Sequence, residues 1–165
     1  YMVHRLQDSM GMDVSAGRNA MRKFLQRVKA MLGLFDLTEF EARLLAELKL
    51  RLPDAWRDIL DSQLVEFNQT DRLIGESRGE VPPFGHTSFY KNVWGKSSRN
   101  FAKRFPTEKD SDVLATLDVV DGDGSTISVE FVLVSGILFS IKYRSPTKRF
   151  VPNGDYAIKN FKLLI

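Results

Sequence analysis

From Phe89 to Phe105 the chain reads FYKNVWGKSSRNFAKRF. Five cations, Lys91, Lys96, Arg99, Lys103 and Arg104, are interleaved with the rings of Phe89, Tyr90, Trp94, Phe101 and Phe105, and no acid interrupts them. The chemistry this suits is non-covalent capture. Ammonium and guanidinium groups neutralise phosphate or carboxylate, and aromatic faces accept stacked bases or fill apolar pockets. Trp, Tyr and Arg are also the side chains favoured as anchors of protein interfaces. The same composition suits an ordinary strand-and-loop segment whose rings face a core and whose lysine stems lie along its edge. The candidate partner-binding residues are therefore Tyr90, Lys91, Trp94, Lys96, Arg99, Lys103 and Arg104.

Bond-making chemistry finds less support. His4 and His86 are the only histidines, which leaves no histidine-rich metal cluster. His86, in PFGHTSFY, could act as a general base if a nucleophile such as Thr87 or Ser88 and an orienting carboxylate converged on it. Adjacency in sequence does not supply that geometry, and a loop histidine bonded to backbone is the simpler expectation. Val119, Asp121, Asp123, Gly124 and Glu130 fall at positions 1, 3, 5, 6 and 12 of a calcium-binding loop. The first ligand position is valine, however, and strands flank the loop, so it reads as an acidic-glycine hairpin turn. No glycine-rich phosphate loop, nucleophile elbow or metal-spaced cluster occurs. No catalytic residue, metal ligand or cofactor is assigned.

The elements that must position the basic and aromatic stretch follow from composition and periodicity. A length of 165 residues at 43% hydrophobic content fits a single domain over 1–165 that needs no covalent staple. The absence of cysteine excludes disulfides and thiol chemistry and agrees with a cytoplasmic location. No apolar run is long enough to span a bilayer, and the amino end lacks the apolar core of a secretory signal, so a soluble chain is expected. The net charge of +3 projects little long-range field. Residues 1–12 are read as a flexible arm.

Residues 13–67 read as helical. Met21, Phe24, Leu25, Val28 and Leu32 recur at helical steps, which predicts a first helix over about 15–32, with Arg18, Arg22, Lys23, Arg27 and Lys29 on its opposite face. Asp36 and Glu39 read as a capping box, and Phe35 with Phe40 as a hydrophobic staple, for a second helix bearing Phe40, Leu44, Leu48 and Leu52. Pro53 ends that helix or opens a third, whose stripe is Trp56, Ile59, Leu60, Leu64 and Phe67. Residues 68–88, rich in glycine and proline, read as a connection.

Residues 89–165 read as sheet. Apolar residues alternate over Val113–Val119, Ile127–Leu133 and Ile137–Tyr143, and Tyr156–Ile165 forms a last strand. A five-residue loop over 121–125 pairs Val119 with Ile127 and Leu117 with Val129. A two-residue Ser135-Gly136 turn would pair Leu133 with Leu138 and set the apolar sequences on opposite faces. A three-residue loop, Val134-Ser135-Gly136, is predicted instead, pairing Leu133 with Ile137 and Phe131 with Phe139. The even positions Leu114, Val120, Val132, Val134 and Leu138 would leave the outer sheet face partly apolar.

The expected fold is α+β: three amino-terminal helices packed on one face of a four- to six-stranded, mainly antiparallel meander. The expected function is that of a non-enzymatic macromolecular-interaction domain with a protein partner, bound through the Trp94 segment or the outer sheet face. The alternatives are a nucleic-acid-binding module using residues 89–105 and a small enzyme with a pocket between helices and sheet.

Overall fold

Thr38 opens the first helix by satisfying amide groups that the helix itself leaves bare. Its hydroxyl accepts the Glu41 N–H at 3.2 Å, and the Glu41 carboxylate accepts the Thr38 N–H at 2.8 Å. The capping box thus lies two residues beyond the predicted Asp36–Glu39 pair. The helix, α1 (Glu39–Arg51), buries Phe40, Glu41, Leu44, Leu45 and Leu48, which extends the expected stripe. Pro53 then starts α2 (Asp54–Glu66). Arg57 reaches back from α2 to the carbonyls of Lys49, Leu50 and Leu52, placing a cation where the end of α1 concentrates negative charge.

The computed structural model describes residues 36–74, 84–145, 152 and 155–164. The expected helix over 15–32 and the Phe35 half of the staple lie outside these residues. Within them the chain forms β1 (Gln69–Ile74), β2 (Phe84–Val93), β3 (Lys96–Ser98), β4 (Ser111–Asp121), β5 (Thr126–Val134), β6 (Ile137–Arg144) and β7 (Tyr156–Leu163). All pairings are antiparallel, in the order β1-β2-β6-β5-β4-β7, with β3 on β2.

The expected architecture is therefore corrected. Among the described residues there are two helices, both starting at Glu39 or later, against seven strands, and the fold is mostly β. The sheet is not a simple meander, since β6 lies between β2 and β5 and β7 returns to β4. The main error is in residues 68–88, read as a connection, which contain β1 and the start of β2. Their alternation is hidden because Arg72 and Thr87, paired across the two strands, occupy positions that face α1 and bond its Glu41. Polar residues at inward positions erase the period-2 hydrophobic signal by which a strand is recognised.

The β4–β5 hairpin has the predicted register, with Val119 opposite Ile127 and Leu117 opposite Val129. The β5–β6 hairpin does not. Ser135 and Gly136 both take positive φ, 52° and 75°, which makes a two-residue turn that pairs Val134 with Ile137 and Leu133 with Leu138. The face conflict that argued against this register is removed by a bulge: Phe139 is skipped, and Val132 pairs Ser140 while Phe131 pairs Ile141. A second bulge lies between Val113 and Ala115. Together these irregularities turn Leu114 and Leu138 into the core, so the outer face is less apolar than predicted.

One cluster joins the layers. Phe40, Leu44 and Leu48 of α1 and Leu60 of α2 meet Leu117, Val129, Phe131 and Ile141 from the sheet. Phe40 packs edge-on against Tyr143 at 6.3 Å and Tyr156 at 5.5 Å, which brings β6 and β7 under the start of α1. No described helix is long and apolar enough to cross a membrane.

Candidate protein-interaction hairpin

The stretch from Phe89 to Phe105 divides into a scaffold and a tip. Phe89, Phe101 and Phe105 are buried. Phe67 of the α2 end stacks obliquely with Phe89 at 5.5 Å and Phe101 at 5.2 Å, while Trp56 meets Phe105 edge-on at 6.0 Å. Tyr90 is half-buried and lies edge-on to Phe139 at 5.6 Å. Four of the five rings are thus occupied in packing.

Two of the five cations also serve the scaffold. The Lys91 ammonium lies 2.6 Å from the Glu66 carboxylate, donates to the Asn100 carbonyl at 2.6 Å and sits 5.4 Å from the Phe101 ring centroid. Glu66 also accepts the Ala102 N–H at 2.9 Å. Burial would raise the Glu66 carboxyl, but hydrogen bonds from Lys91 and Ala102 and the Lys91 charge outweigh it, holding it below its ordinary value. The Arg104 guanidinium donates to the Ser135 and Arg99 carbonyls at 2.9 and 2.5 Å. The side chains of Lys96, Arg99 and Lys103 are exposed.

The tip presents the remaining ring. Trp94 and Gly95 have φ of 53° and 77° and close a two-residue turn between Val93 and Lys96. Trp94 is 98% exposed, and the neighbouring Val93 is exposed as well. On the far edge of the stem, the Asn68 side chain donates to the Asn92 carbonyl and accepts its N–H, both at 2.8 Å. β2 pairs with β6 as far as Ser88–Ser140 and with β3 from Lys91–Ser98 onward. Where it changes partner, a depression of 180 Å³ opens, lined by Tyr90, Ser98, Arg99, Val134, Ile137 and Phe139 among others.

The predicted residues Trp94, Lys96, Arg99 and Lys103 thus share one exposed hairpin and its return segment, whereas Lys91 and Arg104 hold that segment to the body. Two buried polar groups that support this arrangement were not anticipated. Gln63 is fully buried on α2, where its amide donates at 3.0 Å to both the Lys103 and Gly136 carbonyls and accepts the Leu138 N–H at 2.9 Å. Glu41 is the other: Arg72 donates to both its oxygens, at 2.7 and 2.5 Å, and Thr87 donates at 2.6 Å. A polar residue inside an otherwise apolar helical stripe is the sequence signal that could have marked both.

His86 is half-buried on the outer face, in a depression of 380 Å³ with Ser128, Glu130, Lys142 and Arg144. Lys142 is its cross-strand partner and Glu130 stands beyond Lys142. Of the hydroxyls considered as nucleophiles, Thr87 is committed to Glu41 and Ser88 is buried opposite Ser140. In the 121–125 loop, Asp121 accepts the Gly122 N–H and Asp123 the Ser125 N–H, so both carboxylates hold the turn. No group of three or more His, Asp or Glu placed to hold a metal occurs among the described residues.

No family model, curated protein or solved structure matches this chain.

Proposed function

We propose that this chain is a non-enzymatic protein-interaction domain that engages its partner with the tip of the β2–β3 hairpin. The observation carrying this reading is Trp94: a large apolar ring, 98% exposed, on a left-handed backbone that Asn or Gly would adopt at lower cost. Neither stability nor solubility accounts for a tryptophan there. Strain retained at an exposed position is what a binding site produces when the side chain is needed for contact. Covering 150–250 Å² of such a ring is worth about 4–6 kcal/mol gross at 25 cal/mol per Å².

Nucleic acid is a weaker fit to the hairpin. Single-strand binding uses successive rings as a stacking platform, and here one ring stands free of packing while four are occupied. An enzyme is weaker still, because the hydroxyls near His86 are committed elsewhere: Thr87 donates to Glu41, Ser88 is buried opposite Ser140, and Ser128 donates to Asp118.

The test is photo-crosslinking in extracts of the cells that make the protein, with benzoylphenylalanine at position 94 or, as control, at Val65, which is 86% exposed on α2. A discrete protein adduct is expected from position 94 and none from 65. Equal adducts from both positions, or none from 94, would remove the reading.

A further inference from the structure

We infer that the partner segment is acidic and carries an apolar side chain that enters the cleft at the base of the hairpin. This rests on the reading of Trp94 as the leading contact. From Phe84 to Thr107 the chain contains no acid. Lys96, Arg99 and Lys103 project from this stretch, and Glu66, the acid bonded into it, is already neutralised by Lys91. The Arg104 guanidinium is bonded to two carbonyls, and no carboxylate among the described residues forms an ion pair with it. The tip and its return segment therefore present cations around an apolar ring. A protein partner that buries the ring must meet those cations, and among unmodified side chains the carboxylates of Asp and Glu do so without like-charge repulsion.

The cleft adds the second requirement. Tyr90, Val134, Ile137 and Phe139 give it apolar walls, with Arg99 at its rim. Its 180 Å³ is close to the roughly 150 Å³ of an apolar cavity that accepts benzene, so it holds one leucine- or phenylalanine-sized group. A phenylalanine flanked by glutamates satisfies cleft and rim together.

The experiment titrates the full chain with four labelled probes at about 50 mM salt, where charge contacts are least screened. They are a short peptide with one Phe flanked by glutamates, its Phe→Ala version, its Glu→Lys version and an oligothymidylate. The acidic Phe peptide should bind with amide shifts at Tyr90, Trp94 and Phe139. Arg99→Glu with Lys103→Glu should weaken it at least about tenfold, or 1.4 kcal/mol. Lys162→Glu, on the opposite sheet edge, should not. Equal binding of the lysine peptide, or no peptide binding, overturns the inference. Preferential binding of the oligothymidylate replaces it with a nucleic-acid partner. A position-94 crosslink whose yield is unchanged by Arg99→Glu and Lys103→Glu overturns the acidic partner while leaving the protein-interaction reading intact.

Discussion

At the scale of single residues, one side chain sits where stability alone would not place it. Trp94 occupies φ 53° with its ring in water. Trp94→Asn relieves a left-handed strain of about 1 kcal/mol and should raise the melting temperature by about 3 °C, read by circular dichroism. A fall instead would mean that the ring is packed, and its binding role would lose its basis. Glu41 is the inverse case, a buried carboxylate whose partners justify it. Burial would raise its pKa, but hydrogen bonds from Arg72, Thr87 and Thr38 and the Arg72 charge prevail, and the net shift is downward. A lowered folded pKa makes the ionised form stabilising: the contribution is complete above the unfolded pKa and fades as pH falls below about 4.3. Glu41→Gln leaves Arg72 without its counter-charge. Because that side chain keeps 28% exposure, the expected cost at neutral pH is near the low end for a buried pair, about 3 kcal/mol. Urea titrations from pH 7 to acid should give the variant a shallower loss of stability than the parent. Parallel curves would assign the acid sensitivity elsewhere, with Glu66 the next candidate because its carboxyl is also lowered.

Among the elements, the β5–β6 hairpin is held by a contact that leaves no room for a side chain. A Cβ on Gly136 would stand 2.5 Å from the Phe105 carbonyl oxygen, and φ there is 75°. Gly136→Ala combines overpacking with left-handed strain and should cost about 2–4 kcal/mol. Gly124→Ala, at φ 85° with nothing within 4 Å, carries the strain alone and should cost about 1 kcal/mol. Chemical denaturation of both variants measures the difference. Equal losses would show that the segment around Phe105 yields freely, and it would no longer be a rigid base for the Trp94 tip. The same hairpin shows what the sequence could and could not reveal. Strand alternation located β4, β5 and β6, a weaker pattern after the proline- and glycine-bearing turn marked β7, and the five-residue loop set the β4–β5 register, because clean period-2 runs on both sides allow one pairing. The bulge at Phe139 was invisible, since skipping one residue reconciles a register that alternation alone forbids. β1 and early β2 were missed because Arg72 and Thr87 take inward positions to serve Glu41, a long-range need that local pattern does not encode. The candidate site was half legible: composition marked the segment, but only the packing separates Trp94, Lys96, Arg99 and Lys103 from the buried phenylalanines.

For the molecule as a whole, the helical layer is joined to the sheet by an apolar cluster with a polar link at each side, Glu41 to β1 and β2 and Gln63 to β6 and the Phe105 segment. Gln63 matters because β6 stops pairing with β2 at Ser140, and the Leu138 N–H is taken up by the α2 glutamine. Gln63→Leu removes that acceptor and the donor to the Lys103 and Gly136 carbonyls inside a buried site, which should cost about 2–4 kcal/mol. Since one cluster spans both layers, helix and sheet should unfold together. The chain has two tryptophans, so in a Trp94→Asn background Trp56, packed on Phe105, reports the helix–sheet boundary alone. Its fluorescence and the far-ultraviolet dichroism should share one urea midpoint, and adding Gln63→Leu should move both to lower urea by the same amount. A fluorescence transition that ran ahead of the dichroism would mean that α2 parts from the sheet before the rest unfolds. The hairpin would then rest on a separable layer, and the rigid presentation of Trp94 would fail with it.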